Sequence, residues 1–302
     1  MSLMRLGYRI GVIASLPTLL ILTGCLGTGK VDISKLGDPP SATQLAEVHN
    51  QRVEPLDTLW ARISLRAKGI YPDGDSYEEQ GEGHLQLAKP SNLSLTIGKL
   101  GETYFAFGAN ADQYWSFDLS NADHKTALVG MLEQATPEKA GAIGLPVHPA
   151  ELIALTGLIP IDLARAGGTR WSDDGQSVGV SMPSQWGSFT LWIDPKTNLV
   201  VRSQAFDRIG DLIATAELSR YKDAQIKGAL PVLVPGKIEI RTPDDSGFVR
   251  IELSEPRSKA IRPIVFDPSR LMRVYRVDEA IDLDAAFERS SAAPDAQRDG
   301  ES

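Results

Sequence analysis

From Ala61 to Lys68 the chain reads Ala-Arg-Ile-Ser-Leu-Arg-Ala-Lys, with an apolar side chain at every odd position and a polar one at every even position. Successive side chains of a strand point to opposite faces, so this pattern describes a strand with one buried and one wet face; an amphipathic helix would repeat every three to four residues. The alternation returns at Gly83, Leu85 and Leu87, and again at Leu93, Leu95 and Ile97. Further strands are predicted over residues 104–108, 113–118, 177–182, 189–194, 199–206, 214–221, 236–241 and 248–254. Turn chemistry separates them, as in Asp194-Pro195-Lys196-Thr197-Asn198 and Pro243-Asp244-Asp245-Ser246-Gly247. The pattern predicts about eleven antiparallel strands.

Helical period is confined to three places. Residues 44–59 put Leu45, Val48, Val53, Leu56 and Leu59 near one face, with Pro55 as a break. Residues 149–155 have Pro149 at a first helical position, Leu152, Ile153 and Leu155 on an apolar side, and Gly157 at the left-handed end position. Residues 274–287 suit a last strand followed by a short helix. A long sheet cannot leave its apolar face in water and must curl or be covered. The predicted fold is therefore mainly β (α+β): an incomplete antiparallel β-barrel of about eleven strands with a helical lid.

The N-terminus has its own logic. Arg5 and Arg9 precede an apolar run from Ile10 to Leu22, interrupted only by Ser15, Pro17 and Thr18, which is the arrangement of a secretion signal. The run is shorter than the roughly 20 residues that a membrane-crossing helix needs. It ends at Leu22-Thr23-Gly24-Cys25, which resembles the lipobox of bacterial lipoproteins, in which the Cys is acylated and becomes the new N-terminus. Cys25 is the one cysteine of the chain, so no disulfide forms within it and the domain must be held by its core. Residues 1–24 read as a lipoprotein signal peptide, 25–43 as a flexible tether carrying lipidated Cys25, 44–288 as the folded domain and 289–302 as a disordered tail. Gly24, Gly29 and Lys30 stand at the spacing of a phosphate-binding loop, but Val31 replaces its hydroxyl residue and signal cleavage would divide the motif. Leu26 is not the Asp that retains enterobacterial lipoproteins at the inner membrane, which points to a lipid-anchored protein of the cell envelope at the outer membrane, facing the periplasm.

Charge and composition argue against several functions. The chain carries 31 basic and 39 acidic residues, a net charge of −8. With no basic stretch interleaved with aromatics, nucleic acid is not an expected partner. His49, His84, His124 and His148 lack ligand spacing and read as surface or loop histidines, so neither a metal nor a cofactor is expected. No G-x-S-x-G elbow is present. The acidic pairs Asp173-Asp174 and Asp244-Asp245 sit beside Gly175 and within Pro243–Gly247, where solvated turns are expected. No residue set reads as catalytic.

Three segments, in order within an all-β lipoprotein, resemble the lipoprotein carriers and receptors of the Lol system (LolA and LolB). Gly98-Lys99-Leu100-Gly101-Glu102-Thr103 stands at the position of the receptors' P-L-G-x-T hairpin. Gly144-Leu145-Pro146, running on to Leu155-Thr156-Gly157, stands at their G-x-P helix, and Ala229-Leu230-Pro231 precedes Lys237-Ile238-Glu239-Ile240 as in their last strands. The resemblance covers roughly residues 45–255. The chain departs from it in an acidic insertion, Tyr71 to Glu82, and in the extension formed by residues 256–302.

The resemblance implies an incomplete barrel whose apolar interior holds the acyl chains of lipoproteins or lipids under a helical lid, with a periplasmic carrier protein as a partner and no covalent chemistry. Alternation assigns that interior to Ile63, Leu65, Leu85, Leu87, Leu93, Leu95, Ile97, Leu191 and Ile193, with Leu152, Ile153 and Leu155 from the lid. The same side chains would serve equally as a dry core, and Trp115, Trp171, Trp186 and Trp192 carry the same two readings. By position, membrane insertion falls to Leu100, unless that leucine folds back onto the barrel. The alternative from another class is a non-catalytic structural or protein-interaction lipoprotein with a packed interior.

Overall fold

Ser41 opens the first helix, α1 (Ala42–Val53), with a capping box: its hydroxyl accepts from the Gln44 N–H at 3.3 Å while the Gln44 amide oxygen accepts from the Ser41 N–H at 2.8 Å. The helix stops before Pro55. Its buried face is Leu45, His49 and Val53, at i and i+4 spacing, whereas Val48 is exposed. The computed structural model describes residues 32–70 and 76–292. The signal peptide, Cys25, the phosphate-loop mimic, residues 71–75 and residues 293–302 lie outside them.

Chain order then runs β1 (Thr58–Ile70), β2 (Ser76–Ala88), β3 (Asn92–Lys99), β4 (Glu102–Ala109), β5 (Gln113–Asp118) and β6 (Thr126–Met131). A helix-poor connection follows, with α2 (Pro137–Gly141) and 3-10 turns at Pro149–Glu151 and Ala154–Thr156. The second half contains β7 (Thr169–Trp171), β8 (Val178–Pro183), β9 (Gly187–Ile193), β10 (Val200–Asp207), β11 (Leu212–Ser219), β12 (Lys222–Ala224), β13 (Val232–Val234), β14 (Lys237–Arg241) and β15 (Phe248–Arg257). The chain closes with α3 (Pro268–Tyr275), β16 (Glu279–Asp282) and α4 (Leu283–Ala292), so a helix continues past position 288 into the segment expected to be a disordered tail.

Fourteen strands form one sheet in the order β16-β6-β5-β4-β3-β2-β1-β15-β14-β11-β10-β9-β8-β7, with β12 and β13 as a separate pair. The expected count of about eleven leaves out β6, β7, β12 and β13, of which the last three run only three residues, too few to display a period, while β16 is the last strand expected within residues 274–287. The ladder begins at β16, ends at β7 and does not close on itself, so the expected barrel is an open sheet. All its pairings are antiparallel except β16 against β6. The acidic stretch is not all insertion: residues 76–82 belong to β2, and Glu78 pairs across the ladder with Arg66 and with Lys68, the latter at 2.8 Å.

Burial follows the pattern read from the sequence. Odd residues of β1 from Leu59 to Leu65 are buried while Arg62, Ser64, Arg66 and Lys68 are exposed. The inward side chains of β1–β3 and β8–β11 meet those of α1 and of the 145–161 segment in one continuous core. Strand β5 is covered on both faces. Trp115 and Phe117 pack with Leu271 of α3 on one side, and Tyr114 packs with Leu283 of α4 on the other. A buried ion pair between Lys139 of α2 and Asp284 of α4, at 2.6 Å, fastens this cover, and the second Asp284 oxygen accepts from the Met131 N–H at 2.8 Å.

Candidate functional site

The twelve residues assigned to the interior do converge. Ile63, Leu65, Leu85, Leu87, Leu93, Leu95, Ile97, Leu191, Ile193, Ile153 and Leu155 are all buried in the same cluster, and half-buried Leu152 packs against it. They pack on one another beneath the 149–161 segment. A void of about 10 Å³ remains, bounded by Leu56, Leu59, Leu87, Lys89, Ile153 and Leu158, which is room for about one water molecule. Around these twelve residues the interior is a packed core.

The closing segment is the expected lid, but it forms two 3-10 turns instead of one helix. Pro149 starts the first turn, and Gly157 ends the second with φ 66°, a left-handed conformation that glycine adopts without cost. A side chain at position 157 would also meet Leu218 at 2.7 Å and Val200 at 3.1 Å. Few of the segment's backbone groups bond within it, so its position is set from outside. The Ser203 hydroxyl donates to the Ala154 carbonyl at 3.2 Å. The Asn50 side chain brackets Ile161, donating to its carbonyl at 2.9 Å and accepting from its N–H at 2.7 Å. His49 completes the latch: its Nε2 contacts the Ile159 carbonyl at 2.7 Å, and its Nδ1 lies 3.0 Å from the Arg52 guanidinium. Because the guanidinium can only donate, Nδ1 accepts and Nε2–H donates, which is the neutral imidazole. Burial holds the His49 pKa down at about 4.

Sequence reasoning placed all four histidines at the surface or in loops. His84 and His124 are exposed, but His49 and His148 are buried. The missed signal at His49 was its i, i+4 register with Leu45 and Val53. The tryptophans divide similarly: Trp115 is core, Trp171 donates its indole N–H to the Gly37 carbonyl at 3.0 Å, and Trp192 donates to Gln204 at 2.7 Å. Half-buried Trp186 meets His148 edge-on. The acidic pairs sit in turns, where the Asp174 carboxylate accepts from Ser172 and Gln176, and that of Asp244 from Ser246.

An open cleft of about 250 Å³ lies between the 149–161 segment and strands β8 and β9, walled by Ile159, Pro160, Met182 and Phe189, with Glu151 and Arg165 on its border. Burial raises the Glu151 carboxyl pKa, and the Gln185 N–H donates to it. Among the described residues, no three His, Cys, Asp or Glu side chains cluster at metal-binding separation.

At the β3–β4 turn Leu100 occupies the crest. The side chain does not fold back: it is 98% exposed. Leu100 and Gly101 form the two-residue loop with φ of 55° and 89°, the signs of a type I′ turn, whose first position normally takes Asn, Asp or Gly. A leucine there is strained by about 1 kcal/mol and gains no burial from it.

No family model matches the chain, and a search of curated proteins finds no match. Comparison with solved structures finds a similar fold at a TM-score above 0.5. One is described as an outer membrane lipoprotein-sorting protein domain from Vibrio parahaemolyticus, with a TM-score of 0.51 and 14% identity over 76% of this chain and 97% of that one. Another is a LolA superfamily protein from Nitrosomonas europaea, with a TM-score of 0.48 and 13% identity over 76% of this chain and 98% of that one. At these identities the likeness is one of fold alone.

Proposed function

We propose that this chain is a lipid-anchored protein of the cell envelope that holds an acyl chain of a lipoprotein or lipid between its sheet and the 149–161 segment, and exchanges it at a membrane through Leu100. The observation that carries the reading is that leucine, a fully solvent-facing aliphatic side chain kept at a strained turn position. Strain retained without a folding benefit points to use. The packed core at these residues requires the lid to lift before a chain can enter: two short 3-10 turns would carry Ile153 and Leu155 out of the core, and the polar contacts from α1 to Ile159 and Ile161 would loosen. A hydrocarbon chain would then replace lid side chains against the sheet, removing apolar area from water at about 25 cal/mol per Å².

The packed interior favours a second reading, a structural or protein-interaction lipoprotein with no guest. Uptake of a fluorescent fatty acid separates the two. On the carrier reading, a chain beginning at Leu26 binds it and loosening the lid increases uptake. A folded chain that takes up none, even with the lid loosened, overturns that reading in favour of the second. Leu100→Glu should leave folding intact and impair delivery of bound acyl cargo to vesicles; unchanged delivery removes Leu100 from the mechanism.

A further inference from the structure

We infer that Leu100 does not meet the membrane alone: the β10–β11 hairpin supplies a second lipid-inserting tip, Ile209. The inference rests on the reading of Leu100 just given and extends it to a two-point docking surface for a phospholipid bilayer.

The two turns share one design. Lys99-Leu100-Gly101 and Arg208-Ile209-Gly210 each place a cation, an aliphatic residue and a glycine in that order at the crest of a hairpin. Gly101 has φ 89° and Gly210 φ 92°. Ile209 is 83% exposed beside 98% for Leu100. A β-branched side chain is a poor choice for a solvated turn, where polar residues and glycine dominate. The turn nevertheless holds Ile209 firmly outward: the Asp207 carboxylate accepts from the N–H groups of Ile209 at 3.0 Å and Asp211 at 2.8 Å. Asp207 and Asp211 also close the hairpin through a backbone hydrogen bond of 2.9 Å.

Strand direction brings both crests to one end of the sheet. Strands β3, β2, β1, β15, β14, β11 and β10 are successive antiparallel neighbours. The end of β3, the start of β2, the end of β1, the start of β15, the end of β14, the start of β11 and the end of β10 therefore lie on the same side, with four strands between the two hairpins. Half-buried Trp186, on the β8–β9 turn, faces that end as well. Lys99 and Arg208 are exposed and would meet headgroup phosphates as the aliphatic tips enter the acyl region, while exposed Glu79 and Glu82 at the start of β2, Glu102, Asp211, and Asp244 and Asp245 in the β14–β15 turn lie at the same end and oppose a strongly anionic surface. An exposed leucine elsewhere provides a contrast. Leu230, 86% exposed, lies on the β12–β13 connection, which joins the other ends of β11 and β14.

The test uses the full chain carrying Cys25→Ser, with Leu100→Cys, Ile209→Cys or Leu230→Cys introduced singly and labelled with a polarity-sensitive fluorophore. All three positions are solvent-facing, and matching urea midpoints check that the fold is retained. The chains are bound to vesicles of phosphatidylglycerol and phosphatidylethanolamine bearing brominated acyl chains. The expected result is loss of emission at positions 100 and 209 with none at 230. Loss at 100 alone overturns the second tip and leaves the reading of Leu100 standing. Loss at neither overturns both. Loss at all three, or at 209 without 100, overturns the two-point orientation.

Discussion

Replacing Asn50 with Ala removes two of the hydrogen bonds that tie α1 to the lid, leaving that of His49 to Ile159. Both partners are backbone groups of Ile161, a residue only 2% exposed, so neither gains water freely when the side chain goes. Each lost bond is worth about 0.5–1.5 kcal/mol, and a buried group left unpaired costs about 1–3 kcal/mol. Partial access of water to the vacated site, since Asn50 is itself half-buried, puts the sum near 2–3 kcal/mol. Urea denaturation followed by tryptophan fluorescence would report this as a lower midpoint at an unchanged slope. Hydrogen exchange would locate it, with amides of residues 149–161 exchanging faster while those of β1–β3 hold. Asn50→Asp adds a check of sign. It keeps the acceptor for the Ile161 N–H but sets an ionised oxygen against the Ile161 carbonyl, which raises the folded-state pKa. Its stability should therefore improve as pH falls through the carboxylate range, when the protonated form donates again. A loss below about 0.5 kcal/mol for Asn50→Ala, or exchange that quickens everywhere alike, would refute the view that these bonds are what keeps the lid down. On the carrier reading the same variant takes up fluorescent fatty acid faster than the parent.

His49 predicts a pH dependence. The unfolded imidazole protonates near 6.5 and the buried one only near 4, so the native state binds fewer protons between these values and stability falls as pH is lowered through that window, by about 3 kcal/mol in full. His49→Gln should flatten that part of the stability curve, and an unchanged slope would show that another group is responsible. Lys139→Met leaves Asp284 buried with only the Met131 N–H and should cost about 3 kcal/mol, read as a lower thermal midpoint; a neutral result would mean that the carboxylate is hydrated. Leu100→Asn gives the β3–β4 turn the pair that a type I′ loop prefers and should stabilise the chain by about 1 kcal/mol. Lower stability in denaturant would contradict the strain argument, whereas higher stability with impaired cargo delivery would show strain kept for use.

How far the fold could be read from residues depended on whether burial left a mark on hydropathy. Ala61 to Lys68 was legible because one face of β1 is core and the other wet. Residues 76–82 of β2 were not, since both faces there are polar and the strand is held by its ladder and by the Glu78 pairs with Arg66 and Lys68. On α1 a hydropathy reading favours Val48 over His49. The fold reverses the choice because the Ile159 carbonyl and Arg52 satisfy both ring nitrogens, removing the usual cost of burying imidazole. The alternating residues assigned to the interior cluster together in the fold. Whether they enclose space depends on how their volumes sum against the lid, and no periodicity encodes that. The exposure of Leu100 was open for a similar reason, because it is set by two positive φ values and leucine is not the residue that announces them.

The unclosed sheet has a consequence for how such a protein behaves at high local concentration. Fourteen strands leave two raw borders, each a row of amides and carbonyls to which another copy could add. One border, β7, is three residues long; the other, β16, is four, with acidic Glu279 and Asp282 at its ends. Neither is long enough to seed a continuing ribbon, and crowded copies would set carboxylates against one another at the second. Lengthening either border with uncharged β-branched residues should turn a self-limiting molecule into one that polymerises.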